Sequence, residues 1–224
     1  VSGYSGCRAQ PSVQCQAQVY SMPRRTKEEA ERTRLRILEA AVDTFFEKGV
    51  AKATLNDIAI RAQVTRGAIY WHFKNKLDVF AALHEQLHQS VSDTILEDLE
   101  NDHPHPLLQL ERLSTDLLRD LENDVGRFKI LTIFFLKCDY SDEMLSILQY
   151  QNKNRREGIE LFSRYFQRAK QHGHLAADVE PQVLSVALMA YLTGMVYEYL
   201  TDPDAMVMKT EASKYTRLFF RNIG

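Results

Sequence analysis

The stretch from Thr54 to Lys76, TLNDIAIRAQVTRGAIYWHFKNK, limits the fold more than any other part of this chain. Thr54 can cap a helix, its hydroxyl accepting from an orphan backbone N–H. Leu55, Ile58, Ala59 and Ala62 follow at helical spacing and give a short helix one apolar face. The periodicity breaks at Gln63, Val64 and Thr65. Thr65 can cap a second short helix, in which Ala68, Ile69 and Phe73 turn inward. Asn75 can then cap a third, with Lys76 in its first turn. Two short helices joined by a tight break predict a helix-turn-helix, although an ordinary three-helix corner has the same spacing.

The outward side chains carry the chemistry. Thr65, Arg66, Gly67, Tyr70, Trp71 and His72 face away from the apolar positions. Arginine pairs with guanine or phosphate, threonine reaches a base edge or phosphate, and glycine lets the backbone approach closely. Tyrosine and histidine donate to phosphate oxygens. Lys76 gains nothing from the dipole at a helix start, which favours acids, but is explained if an external anion lies nearby. These residues and Thr54 are the candidate contacts to double-stranded DNA. Arg24 and Arg25 form a short basic arm that can reach a phosphate or the adjacent groove, or simply stay solvated.

From about Thr33 to Lys76 the chain resembles the TetR family of transcriptional regulators. The run TRGAIYWHFKNK and the leader MPRRTKEEAERTR from Met22 resemble the branch that represses multidrug efflux pumps. The resemblance is strong over roughly 60 residues and weak but continuous to the C-terminus. It implies an operator-binding helix-turn-helix and a separate helical domain that binds a ligand and dimerises. It also implies an adjacent efflux pump as the regulated gene.

Charge agrees with that division. The net charge is −2, which argues against indiscriminate binding to DNA. Residues 1–76, however, hold 13 Lys and Arg against 7 Asp and Glu, while residues 77–224 hold 15 against 23. A basic head on an acidic body suits a protein that grips DNA at one end only.

The rest reads as helix throughout, about nine helices in an all-α chain. After one from about Glu28 or Thr33 to Lys48 and the two short ones, a long helix is expected over 75–101, from the head into the body. Five more follow at about 106–123, 126–138, 142–172, 180–201 and 206–222. Residues 1–21 lack helical period and read as a disordered or non-native extension, 22–76 as the DNA-binding domain, and 77–224 as the ligand-binding and dimerisation domain. Phe134, Phe135, Cys138, Tyr140, Met144, Met189, Tyr191 and Met195 are candidate pocket walls, with Tyr150 and Phe162 in support. Rings and thioethers suit a pocket for varied small hydrophobic ligands. Ala187, Ala190, Gly194, Tyr215, Leu218 and Phe219 are the candidate homodimer interface. A symmetric dimer would present two recognition helices to a palindromic operator.

No enzyme motif is visible: no glycine-rich phosphate loop, GxSxG or HExxH. No metal or cofactor is expected. The cysteines are unpaired in sequence. His103 and His105 lie in a proline turn without further ligands, and His84 and His88 read as a solvated i,i+4 pair. No run of about 18 uninterrupted apolar residues suggests a membrane span. Few cysteines and no visible leader suggest the cytoplasm. A helical ligand binder with a purely structural helix-turn-helix, or a regulator of a non-efflux gene, fits the same residues.

Overall fold

A computed structural model describes residues 27–101, 103–138, 145–221 and 223. The extension 1–21, the arm residues Arg24 and Arg25, and the pocket candidates Tyr140 and Met144 lie outside the described residues. The elements are α1 Lys27–Lys48, α2 Leu55–Arg61, α3 Arg66–His72, α4 Lys76–Glu100, α5 Pro106–Asn123, α6 Val125–Leu136, α7 Leu145–Gln171, α8 Pro181–Thr201 and α9 Met208–Phe220. A 3-10 turn, Pro203–Ala205, joins the last two, and no strand occurs among the described residues.

Two apolar cores organise these helices. The first buries Ile37, Phe45, Ile58, Ile69, Phe80 and Leu83 between α1, α2, α3 and the start of α4. Leu35 of α1 is 42% exposed, whereas Ile37 points into the core. Gly49 closes α1 at φ +75°, where a side chain would be strained. The second core is made by α5, α7, α8, α9 and the end of α4, around Leu110, Leu118, Tyr165, Phe166 and Leu188.

α4 serves both. Val79, Phe80 and Leu83 belong to the first core, and Ile95 and Leu99 to the second. Its far end is tied down by polar bonds. Tyr165 Oη donates to Asp98 Oδ2 at 2.6 Å, Arg168 Nη1 to the Leu99 carbonyl at 2.8 Å, and Gln109 Nε2 to the Asp98 carbonyl at 2.6 Å. α6 makes a second bridge. Ile133 and Phe134 enter the first core, while Phe128 and Leu131 pack on the second. Lys129 pairs with Asp43 of α1 at 2.7 Å, and Lys137 donates to the Phe46 carbonyl.

α8 is apolar on nearly every side. It buries Leu188, Leu192, Tyr199 and Leu200, yet leaves Val183, Val186 and Tyr197 exposed. By length and composition it could cross a membrane, the one such helix among the described residues, but it packs along α7 and α6 within the helical body.

Candidate functional site

The helix-turn-helix is built by its caps. The Thr54 hydroxyl accepts from the Asp57 N–H at 3.1 Å and donates to Asp57 Oδ2 at 2.8 Å, while the Thr54 N–H donates to the same carboxylate at 3.0 Å. This reciprocal box fixes the start of α2. Lys48 at 2.8 Å and the Thr54 hydroxyl together hold the Asp57 carboxyl down at about 2. At the break, Gln63 takes φ 53°, a left-handed conformation usually left to glycine. The paired bonds Val64 N to Ala59 O and Gln63 N to Ile60 O close the turn at 3.0 and 3.1 Å. Arg36 reaches over to donate to the Ala62 carbonyl at 2.6 Å. Thr65 caps α3, accepting from Ala68 N at 3.1 Å.

α3 is thereby presented on a rigid mount. Ile69 and Phe73 bury its inner side at 0% and 4% exposure, while Arg66, Gly67, Tyr70 and Trp71 are exposed on the other. The Arg66 guanidinium lies 5.7 Å over the Tyr70 ring. His72 differs from the sequence reading: it is half-buried, set edge-on against Trp71 at 4.5 Å, with its Nε2 buried. Thr54 and Thr65 spend their hydroxyls on capping. Lys76 has a protein partner that accounts for its position without an anion, since Nζ donates to the Ala51 carbonyl at 2.6 Å. Lys52 and Lys74, not singled out from sequence, are exposed on the same head.

Further along, a cavity of about 440 Å³ opens between α4, α5, α6, α7 and α8. Its volume suits a drug-sized ligand. Of the expected wall residues, Phe134, Phe135, Phe162 and Met189 line it. Cys138 packs against the first core instead, Met195 against the second, and Tyr191 donates to the Tyr215 carbonyl at 2.8 Å. Tyr150 is not among the lining residues, and its ring lies 5.7 Å from that of His84.

The polar edge of the cavity is a correction to the sequence reading. His84 and His88 are not a solvated pair; both are half-buried in the wall. Asn154 of α7, buried at 5% exposure, donates through Nδ2 to His84 Nδ1 at 3.2 Å. His88 Nε2 donates to the Asn154 backbone carbonyl at 3.3 Å. Burial, aided by the neighbouring His88, pushes the His84 pKa down to about 4, so the ring is neutral at pH 7. Its ring also packs on Phe134 at 5.0 Å. Arg127 lines the wall but pairs with Asp120 at 3.1 Å, and no Asp or Glu is among the described lining residues.

Comparison with known proteins places both halves. The model of bacterial regulatory proteins of the tetR family matches residues 37–83, and that of the C-terminal region of MAATS-type transcriptional repressors matches residues 105–223. The chain belongs to the TetR family. Over 197 residues this TetR-family regulator is 35% identical to the HTH-type transcriptional regulator TtgR of Pseudomonas putida, covering 87% of this chain and 92% of that protein. NalD, the secondary repressor of the MexAB-OprM multidrug efflux pump in Pseudomonas aeruginosa, has a crystal structure of TM-score 0.75 at 32% identity, covering 88% of this chain and 98% of that one. A SmeT–triclosan complex gives TM-score 0.75 at 30% identity, covering 84% and 90%. SmeT is the repressor of the Stenotrophomonas maltophilia multidrug efflux pump SmeDEF.

On the TetR-family body, the interface candidates Ala187, Ala190 and Gly194 are exposed along α8, beside Val183, Val186 and Tyr197. Leu218 of α9 is 66% exposed, whereas Tyr215 and Phe219 are half-buried. Phe219 packs on Tyr191 at 5.5 Å. Nothing lies within 4 Å of a Cβ added at Gly194. No group of three or more His, Cys, Asp or Glu side chains is arranged to hold a metal ion as it stands, among the described residues.

Proposed function

We propose that the chain is a cytoplasmic, homodimeric repressor, not an enzyme. It binds a palindromic operator and leaves it when a small apolar ligand fills the cavity. The division into a DNA-binding domain at 22–76 and a ligand-binding and dimerisation domain at 77–224 is part of this reading. The observation that carries it is the double membership of α4: its first turns pack the helix-turn-helix, and His84, Leu87, His88 and Val91 wall the cavity. A ligand that prefers one setting of this helix thereby biases the separation of the two heads in a dimer, and so operator affinity.

In this reading Arg66 reads bases at the N-terminus of α3, with Gly67 and Thr65 beside it. Tyr70 and Trp71 meet the backbone, and Lys52 and Lys74 add charge. His72, Thr54 and Lys76 act chiefly by holding the head together, and Arg24 and Arg25 add a phosphate-seeking arm. The outer faces of α8 and α9, with Ala187, Ala190, Gly194 and Leu218 at the centre, form the dimer interface. Tyr215 and Phe219 support α9 from behind. The efflux relatives support a pump operon as the regulated target.

The test is a band-shift titration on DNA from upstream of the chain's own gene, with unrelated DNA as competitor, at two salt concentrations. Specific retardation that weakens with salt and is reversed by triclosan, the ligand held by SmeT, is the expected result. Ligand binding without any operator retardation would favour a helical ligand binder with a structural helix-turn-helix. Retardation confined to the promoter of a non-pump gene would keep the repressor and discard the pump.

A further inference from the structure

Two turns far apart in sequence meet beyond the end of α4. His103 and His105 flank Pro104 between α4 and α5, and His172 and His174 flank Gly173 after α7. The His105 and His174 rings lie 5.0 Å apart with planes 27° from parallel. His172 is 5.9 Å from His174, and His103 is 6.3 Å from His105. The backbone beneath them is fixed at both turns. Gly173 takes φ +74° with Gly173 N to Lys170 O and His174 N to Ala169 O bonds of 3.1 and 2.8 Å, a Schellman closure of α7. His105 stands at the N-cap of α5 ahead of Pro106.

We propose that these four histidines bind one first-row divalent transition ion of the zinc, nickel or copper type. His105, His172 and His174 are its principal ligands and His103 completes the set. The His105–His174 spacing is close to that of two ligands on one ion, and the 5.9 and 6.3 Å pairs would have to close by about 1 Å. A metal–nitrogen bond of about 2.0–2.1 Å puts the metal about 3.2 Å from each ring centre, and two ligands at the tetrahedral angle then have centres about 5.2 Å apart. His172 Nδ1 lies 3.4 Å from the Pro104 carbonyl. A carbonyl only accepts, so the proton sits on Nδ1 and the Nε2 lone pair is left for the ion, the arrangement that orients most metal-bound histidines. His103 Nδ1 lies 3.0 Å from the His105 N–H, which can only donate, so that nitrogen accepts, and His103 must turn out of this bond before it can join the set. As they stand the nitrogens do not converge. Exposure leaves the His105 and His172 side chains room to turn toward a common point. An all-imidazole set selects borderline ions over magnesium or calcium. The bound ion would staple the α4–α5 turn to the α7–α8 turn.

The experiment uses the full chain without an affinity tag, stripped with chelator and dialysed, titrated with Zn²⁺ by calorimetry. One ion per protomer with a Kd below about 10 µM is expected, with no signal from Mg²⁺ and release on acidification as protons compete. H105A/H174A should weaken binding by at least about 100-fold with an unchanged circular dichroism spectrum, and H172A, at an exposed position past the helix end, by at least about tenfold. H84A/H88A, which removes the cavity pair, should leave it intact. Absence of saturable binding overturns the proposal. So does affinity unchanged in H172A and H105A/H174A, or affinity lost in H84A/H88A alone.

Discussion

Replacing Arg66 by alanine is expected to weaken operator binding by about 1–3 kcal/mol per recognition helix, roughly 5- to 150-fold, and to relax sequence preference. The same change should leave the fold almost untouched. Arg66 makes an exposed stacking contact with Tyr70 at 5.7 Å, worth about 0.5 kcal/mol. Against that loss, a cation is removed from the first position of α3, where the helix dipole disfavours it by about 0.3–1 kcal/mol. Alanine is also at least as good a helix former. The two sides nearly cancel, so stability in urea should move by less than about 0.5 kcal/mol. Fluorescence anisotropy on the upstream DNA gives affinity, and its salt dependence separates two modes of contact. A base contact leaves the slope of log K against log salt nearly unchanged, while a phosphate contact lowers it by about 1 per helix. Arg66→Lys should not rescue preference, because lysine lacks the planar fork. Unchanged affinity and preference in Arg66→Ala would refute the assignment. So would a binding loss matched by an equal loss of fold stability.

Three further outcomes follow from the same geometry. Thr54→Ala should cost about 1–2 kcal/mol in urea unfolding, with Thr54→Ser close to wild type, because the hydroxyl holds both directions of the capping box. Gly158→Leu should place its Cβ 2.9 Å from Met189 Cε, the movable end of that side chain, and project into the cavity. Triclosan affinity by calorimetry should fall at least about tenfold while operator binding persists. His84 has its pKa depressed to about 4 in the fold against about 6.5 unfolded, so the unfolded chain takes up the extra proton between those values. Stability is therefore full above about pH 6.5 and falls as pH drops through that window, by about 1–2 kcal/mol for a half-buried ring. His84→Gln should flatten this part of a pH–urea profile.

What could be read ahead of the structure was local. The Thr54, Thr65 and Asn75 caps each depend on residues three positions away, so a single strand of sequence contains both partners. The inward positions Ile69 and Phe73 obey the helical period for the same reason. What escaped was long-range. Lys76 finds the Ala51 carbonyl 25 residues back, and Asn154 reaches His84 across 70 residues. Such contacts gave the Lys76 ammonium a partner within the fold and turned a solvated histidine pair into a cavity wall. The pocket resisted for another reason. In α6 and α8 nearly every side is apolar, so periodicity cannot say which aromatic or thioether faces the hollow, and Cys138, Tyr191 and Met195 went elsewhere. The His103–His105 turn was visible in the sequence, but only the fold brings His172 and His174 beside it.

The polar bonds at the far end of α4 make that helix a lever with its fulcrum at one end. Leu99 is held there by Arg168, and Lys76 is the loaded tip. At 1.5 Å per residue the tip stands about 35 Å from the fulcrum and His88 about 16 Å. A push at the cavity wall therefore reappears about twice as large at the DNA head, and about half as forceful. In the proposed repressor, reach is gained and thrust is lost, so a modest displacement of the wall would become a larger one at each head. The work done on the DNA can still never exceed the ligand's own preference for the displaced state.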